Sequence, residues 1–231
     1  YAVARGLNFD NPLISTGLFA GNWSINARGG SRSVSDNYAE AIGMLASAFS
    51  FSNSFDSNFR LSVTATGGSG AEATATAAGI KATVESVILA GTLGGNWNIT
   101  ARGGSGPDDV AATASGLSGV NGIDLLGGDV STFKLAVNAT GGSGFDASAA
   151  AYGFTTGGAF AGGGSFDGNY QIKAQGGSGL GNGSPEAAAT AAWIDAGSTV
   201  SLTAGAKLTI NVAAVAGSAV DADADAAGVD G

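Results

Sequence analysis

The stretch Asn96-Trp97-Asn98-Ile99-Thr100-Ala101-Arg102-Gly103-Gly104-Ser105-Gly106 has the pattern of a β-strand that runs into a glycine turn. Its apolar residues Trp97, Ile99 and Ala101 alternate with polar residues, which indicates a strand with one buried face. The glycines that follow permit the backbone angles of a tight turn. The stretch decides the fold because relatives of it recur along the chain.

The relatives occur at nearly constant intervals. Their opening aromatic residues lie 36, 38, 36 and 37 residues apart, at Trp23, Phe59, Trp97, Phe133 and Tyr170. A degraded copy begins at Ala206. The distance from the aromatic residue to the glycine pair alternates between 6 and 8 residues. Two extra residues keep every side chain on its own face of a strand, whereas one would reverse the faces. The spacing predicts a repeat protein built from stacked units.

Each unit contains three segments that we interpret as strands. The first is the opening phrase, the second is Ala-rich with a period of two, as in 73–79, and the third is a short apolar patch such as Val87-Ile88-Leu89. We therefore predict an all-β fold, a parallel β-solenoid of about six three-stranded coils of ~37 residues each. An antiparallel meander of three-stranded units is the alternative. The units of this single domain lie near 1–20, 21–57, 58–94, 95–131, 132–168, 169–205 and 206–231.

The Ala-rich segments also have helical features. Alanine is the best helix former, and Ser184-Pro185-Glu186 before 187–195 has the cap and the first-turn proline of a helix. Residues 38–51 are a second stretch that could be helical. We favour strands because the equivalent segments alternate regularly and a repeat uses one conformation for each position.

Composition excludes several classes of function. The chain has 231 residues with 41 Gly, a net charge of −9, no Cys and no His. An acidic surface disfavours nucleic acid and anionic lipid, and no apolar run approaches the ~20 residues of a membrane span. Disulfides, a Cys nucleophile and a Ser-His triad are excluded. We expect no enzyme activity, no catalytic residues, no membrane insertion and no required cofactor.

The phrase Trp-x-Ile-x-Ala-x-Gly-Gly-Ser-Gly together with Ala147-Ser148-Ala149-Ala150-Ala151-Tyr152-Gly153-Phe154 resembles repeats of large secreted bacterial β-solenoid proteins. These include autotransporter passenger domains and filamentous-haemagglutinin-like adhesins. The resemblance covers nearly the whole chain and implies a right-handed β-helix at the cell surface or outside the cell. It supplies no catalytic residues to transfer.

Two patterns have both a structural and a binding interpretation. Stacked in consecutive coils, the five opening aromatic rings would form either a core column or a platform for sugar rings; we favour the core. The stretches 103–111 and 141–149 each fit one nonapeptide of the calcium β-roll, although Glu72 and Gly181 replace the Asp in other copies. We favour tight turns and regard calcium as possible. The acidic run Asp221, Asp223 and Asp225 is expected to be a solvated strand face.

Basic residues on the outward face of the first segment never occupy the same position in consecutive units. The position after the opening aromatic residue is occupied in turn by Ser24, Arg60, Asn98, Lys134, Gln171 and Lys207. In a parallel stack this keeps like charges about 10 Å apart rather than ~4.8 Å. The alternation supports stacked coils.

These observations predict an extracellular or cell-surface structural protein, the building block of a fibre, filament, sheath or adhesin stalk. The chain starts within a unit and stops within an Ala-rich copy, so we expect another subunit or further sequence to cover the ends and allow end-to-end self-association. The alternative is a secreted carbohydrate-binding or polysaccharide-modifying β-helix, with a polysaccharide or a cell surface as partner.

Overall fold

The computed structural model describes residues 1–31, 36–52, 55–126, 133–163, 168–180, 185–202 and 208–230. Regular structure in these ranges consists of strands without a helix, and so no helix there could cross a membrane. In chain order the strands are β1 (Ala2–Asn8), β2 (Leu13–Ser15), β3 (Asn22–Arg28), β4 (Asn37–Ala46), β5 (Phe49–Phe51), β6 (Arg60–Thr66), β7 (Ala73–Ala82), β8 (Val87–Leu89), β9 (Asn96–Arg102), β10 (Val110–Gly119), β11 (Gly122–Leu125), β12 (Lys134–Thr140), β13 (Ser143–Gly144), β14 (Ala147–Thr156), β15 (Ala159–Gly162), β16 (Gly168–Gln175), β17 (Ser178–Gly179), β18 (Ala189–Ala196), β19 (Val200–Leu202), β20 (Leu208–Val215) and β21 (Ala224–Asp230).

The strands form three long sheets. Sheet A contains β1, β4, β7, β10, β14, β18 and β21, sheet B contains β2, β5, β8, β11, β15 and β19, and sheet C contains β3, β6, β9, β12, β16 and β20. All pairs of neighbouring strands are parallel. Each strand pairs with its equivalent one coil later, so the fold is a parallel β-solenoid with one strand of each sheet in every coil. The antiparallel alternative is wrong.

The Ala-rich segments are the strands of sheet A. The strands β4 and β18 cover most of the two stretches with helical features, so the helical alternative is wrong there. Ser184, its expected cap, lies outside the described residues. The inward alanines Ala39 and Ala41 are fully buried, and the backbone of β4 pairs with β1 and β7. Pairing across coils satisfies the backbone while burying these residues, which overrides the helix propensity of alanine.

The core lies inside the coils, where large side chains of sheet C meet small residues of sheet A. A column of glycines in sheet A faces this interface, and its members are Gly6, Gly43, Gly79, Gly116 and Gly153. A Cβ atom on Gly79 would lie 3.2 Å from Cε3 of Trp97 and 2.5 Å from the carbonyl oxygen of Gly116. The Ala-rich strands of sheet A and the aromatic strands of sheet C are therefore complementary, and glycine allows the close approach between them.

The register between strands of successive coils follows the position of the glycine turn in each unit. The serine after the last glycine of each turn is level with its equivalent in the next coil, giving the column Ser31, Ser69, Ser105, Ser143, Ser178 and Ser218. Counting back from this turn, Trp97 pairs with Leu61 and Leu135 rather than with Phe59 and Phe133. The expected single column of five aromatic residues is thus wrong. The two extra residues of the long form do preserve the faces, because Phe59 and Leu61 both point into the core.

The close packing around Gly79 leaves no room for a side chain. Gly79→Ala places a methyl group against the backbone of the next coil and the ring of Trp97, and we expect a loss of about 2–3 kcal/mol of unfolding free energy. Gly228→Ala is the matched control, since Gly228 occupies the same column and its added Cβ would meet nothing within 4 Å. Chemical denaturation measures both variants. Equal stabilities would contradict the close approach.

Candidate functional surfaces

Four of the five opening aromatic residues are buried in the core, and the fifth, Trp23, is half-buried and packs against it. Trp97 is 1% exposed, and Phe59, Phe133 and Tyr170 are completely buried. Successive rings alternate between two positions along the coil and still touch, with centroids 6.1 Å apart for Phe59 and Trp97 and 5.3 Å for Trp97 and Phe133. Buried rings cannot stack on sugars, so these residues stabilise the core instead.

Trp97 therefore stabilises the core and does not offer its ring to a ligand. We expect Trp97→Ala to cost about 3–5 kcal/mol because it opens a large cavity. Trp97→Phe should cost much less, since it keeps a ring and removes an indole Nε1 that is buried without a hydrogen-bond partner among the described residues. Thermal and chemical denaturation of both variants check this. A fully stable Trp97→Ala variant would contradict the core assignment.

The outward face of sheet C is polar and basic. Its strands contain five of the nine Lys and Arg residues and no Asp or Glu. The basic side chains are all exposed, and they are Arg28, Arg60, Arg102, Lys134 and Lys173. Amide, Ser and Thr side chains occupy most of the remaining outward positions. The result is a hydrogen-bonding face of positive charge on a chain of net charge −9.

The observed strand register changes which basic residues share a column. It preserves the alternation of basic and uncharged residues within a column. Arg60 and Lys134 lie level with Asn96 between them, and Arg28 and Arg102 lie level with Thr66 between them. Like charges in one column are thus two coils apart. Lys207 lies outside the described residues.

A shallow depression interrupts this face. It has a volume of about 270 Å³ and is lined by outward residues of three neighbouring strands, together with Trp97 and Leu135. Ala136 lies between Asn98 and Gln171 in one column, and the short Ala side chain creates the dip. Asn96, Lys134 and Asn169 form the adjacent column. The depression offers amide groups and one ammonium group to a ligand.

A second surface runs along the corner between the glycine turns and sheet A. An acidic residue lies level with its equivalent in the next coil ahead of each of the last six strands of sheet A, and the members are Asp36, Glu72, Asp109, Asp146, Glu186 and Asp221. We call this column the acidic corner. Five of the six are exposed and Asp146 is half-buried. Stacked carboxylates repel one another, so this arrangement costs the isolated chain some free energy.

Calcium coordination was one interpretation of these turns. Asp109 rather than Asp108 lies level with Asp146, so the nonapeptide alignment misplaces the acidic column. The described residues bring together no group of three or more His, Cys, Asp or Glu residues that could hold a metal ion. Gly181 lies outside the described residues. Asp223 and Asp225 are exposed in and beside the last strand of sheet A.

The outward face of sheet A contains a polar network that the sequence did not indicate. Glu40, whose side chain is 10% exposed, accepts a hydrogen bond from Arg5 at 3.1 Å and one from Lys81 at 3.5 Å. The three residues come from three successive coils. Burial raises the pKa of Tyr38, and the charge of Glu40 adds to that, while a hydrogen bond with Thr76 opposes it. Burial also raises the pKa of Tyr152, with Asp195 and Asp230 adding to the effect.

The raised pKa values of Tyr38 and Tyr152 predict that the folded state loses stability at alkaline pH. Below pH 10 both are protonated in the folded and unfolded states, but above pH 10 the unfolded state loses its protons first. Stability should therefore fall as the pH rises from 10 through the raised folded pKa values. The double variant Tyr38→Phe, Tyr152→Phe should flatten this decline in denaturation curves. The parent chain over the same pH range is the reference, and a double variant that declines as steeply as the parent would contradict this prediction.

The acidic corner is hidden in the sequence when the copies are aligned on their glycine turns. The number of residues between the glycine pair and the acidic residue varies from copy to copy. Alignment on the first residue of each Ala-rich segment would have revealed the column. The ion pairs of Glu40 are not visible as a repeat in the sequence, because Arg5 and Lys81 have no equivalents in other coils.

No protein-family model, curated protein or solved structure matches this chain.

Proposed function

We propose that this protein is an extracellular structural β-solenoid, a building block of a surface fibre, filament, sheath or adhesin stalk, and that it is not an enzyme. The observation that supports this most strongly is the repetition of one side chain at one position in successive coils. Six serines occupy the turn column, and one hydrophobic cluster extends from Ile25 to Ala196. Such uniformity along the axis suits a protein whose mechanical continuity is its function.

End-to-end association is part of the proposal. Within the described residues β1 and β21 are the edge strands of sheet A, each paired on one side only. An edge strand presents backbone donors and acceptors that another strand can extend. A coil from a second copy would add at either end through the same parallel ladder. We propose that copies associate in this way into filaments.

A second candidate function is carbohydrate binding. The depression on sheet C supports it, because Asn98, Lys134 and Gln171 are side chains that hydrogen-bond to hydroxyl and carboxylate groups. Trp97 forms part of the lining, but its ring is buried. A sugar would therefore be held by polar contacts without ring stacking. The partner in this case is a polysaccharide or a glycan of a cell surface.

Electron microscopy and sedimentation of the purified chain test the structural proposal. We expect filaments whose length grows with protein concentration and which persist in high salt, because backbone pairing and apolar burial hold the ends together. A chain that stays monomeric at all concentrations would contradict the proposal. If that monomer also retains a polysaccharide and loses it on Gln171→Ala, the carbohydrate-binding function replaces the structural one.

A further inference from the structure

Charge is distributed unevenly around the coil. The strands of sheet C carry five basic and no acidic residues, while the rest of the chain carries four basic and 18 acidic residues. The two ion pairs found among the described residues both involve Glu40. The basic residues of sheet C therefore have no carboxylate partner in the described part of the chain, and their charges are open to an anion from outside it.

The register of sheet C places four of these cations in two separate rows. Arg60 and Lys134 begin their strands and share one row, whereas Arg28 and Arg102 end their strands and share the other. Six residues of extended strand separate the rows, which is about 20 Å. A single extended ligand that follows the solenoid axis can therefore contact one row but not both.

The row at the start of the strands combines cations with amides. We call it the amide–cation row, and its members are Asn22, Arg60, Asn96, Lys134 and Asn169. Arg60 and Lys134 lie two coils apart, about 10 Å, with Asn96 between them. The shallow depression opens beside Lys134, where the short side chain of Ala136 lies between Asn98 and Gln171. A ligand along this row thus meets two cations and a hollow lined by amides.

The donors and acceptors of this row indicate the chemistry of its ligand. Arg60 and Lys134 can only donate hydrogen bonds and carry positive charge, so they require anionic acceptors. The amides of Asn98 and Gln171 both donate and accept, so they suit hydroxyl groups. A sugar chain with carboxylates supplies both. Single-stranded nucleic acid suits the row less well, because Trp97 is 1% exposed and offers no ring for base stacking, and the acidic body repels a polyphosphate.

We propose that the amide–cation row binds a linear polysaccharide that carries carboxylates, with the sugar chain lying along the solenoid axis. Carboxylates of the ligand pair with Arg60 and Lys134, and its hydroxyl groups enter the depression and contact Asn98 and Gln171. This inference rests on the carbohydrate-binding candidate above and names the class of polysaccharide. Because the row lies on the side of the solenoid, a single chain and a filament present it alike.

The affinity of this contact arises from several weak interactions along one polymer. Each exposed ion pair contributes little by itself, but linked groups on one chain bind with a raised effective concentration. Exposed charges are screened by salt, with a Debye length of about 8 Å at physiological ionic strength. Binding is therefore strongest for a long acidic polymer at low salt.

Binding of the intact chain to polygalacturonate, measured by calorimetry at about 20 and 500 mM salt, tests the proposal. The methyl-esterified polymer keeps the sugar chain without its charge and should bind far more weakly. The double variant Arg60→Gln, Lys134→Gln should bind polygalacturonate about fivefold more weakly, because two exposed ion pairs are lost. The matched control Arg28→Gln, Arg102→Gln removes the same charge from the other row and should stay within about twofold of the parent, since that row lies beyond a Debye length.

A neutral substitution tests the depression separately from the charge. Ala136→Gln fills the hollow between Asn98 and Gln171 and should also weaken binding of polygalacturonate. Ala111→Gln is the matched control, because Ala111 lies on the outward face of sheet A, and it should bind like the parent. Chemical denaturation checks that each variant is folded. The comparison of the acidic and the esterified polymer uses the parent chain, so it decides the proposal even where a variant fails to fold.

Three results would overturn the inference. The first is equal binding of the acidic and the esterified polymer, and the second is an equal loss of binding in the two charge variants. The third is an oligothymidylate that binds as tightly as polygalacturonate, which would assign the face to polyanions in general. Binding of the esterified polymer alone, lost on Gln171→Ala, would support the carbohydrate-binding candidate while this inference fails. Filament length reports on the structural function independently of all these measurements.

Discussion

Parallel pairing in register is the constraint on which the rest of this structure depends. Each residue in a sheet lies about 4.8 Å from its equivalent in the next coil, so every position must tolerate a column of similar neighbours. Small residues, amides and serines meet that requirement directly. Rings meet it by alternating between two positions, as Phe59 and Trp97 do, and cations meet it by changing columns, as Arg60 and Arg102 do. The acidic corner is the exception, because carboxylates of successive coils share one column there.

The same constraint separates the core from the surface. Inside the coil, glycines of sheet A let the backbone approach the large side chains of sheet C, and Gly79 beneath Trp97 is the clearest example. Outside, the short side chain of Ala136 opens a depression between Asn98 and Gln171. Lengthening a side chain therefore has opposite effects on the inward and outward faces of the coil. Inside, an added methyl group collides with a neighbouring coil, whereas outside it merely fills a surface dip.

The charged surfaces of this protein extend over many coils rather than forming localised groups of residues. The basic face has one cation in each of five successive coils, and the acidic corner has one carboxylate in each of six. Glu40 differs, since it joins Arg5 and Lys81 across three coils at one place only. That network stabilises its region of sheet A, whereas the basic face and the acidic corner extend along the stack of coils.

The sequence by itself determined the all-β architecture, the coil length and the inward and outward faces, because alternation and spacing report directly on strands and turns. It also indicated that Trp97 belongs to the core. Only the tertiary structure decided the register, since a difference of two residues between copies leaves the faces unchanged and pairing from the glycine turn moves Trp97 from Phe59 to Leu61. The acidic corner likewise required the structure, because loops of unequal length bring Asp109, Asp146 and Glu186 into one column. Backbone pairing across coils aligns residues that counting along the chain does not.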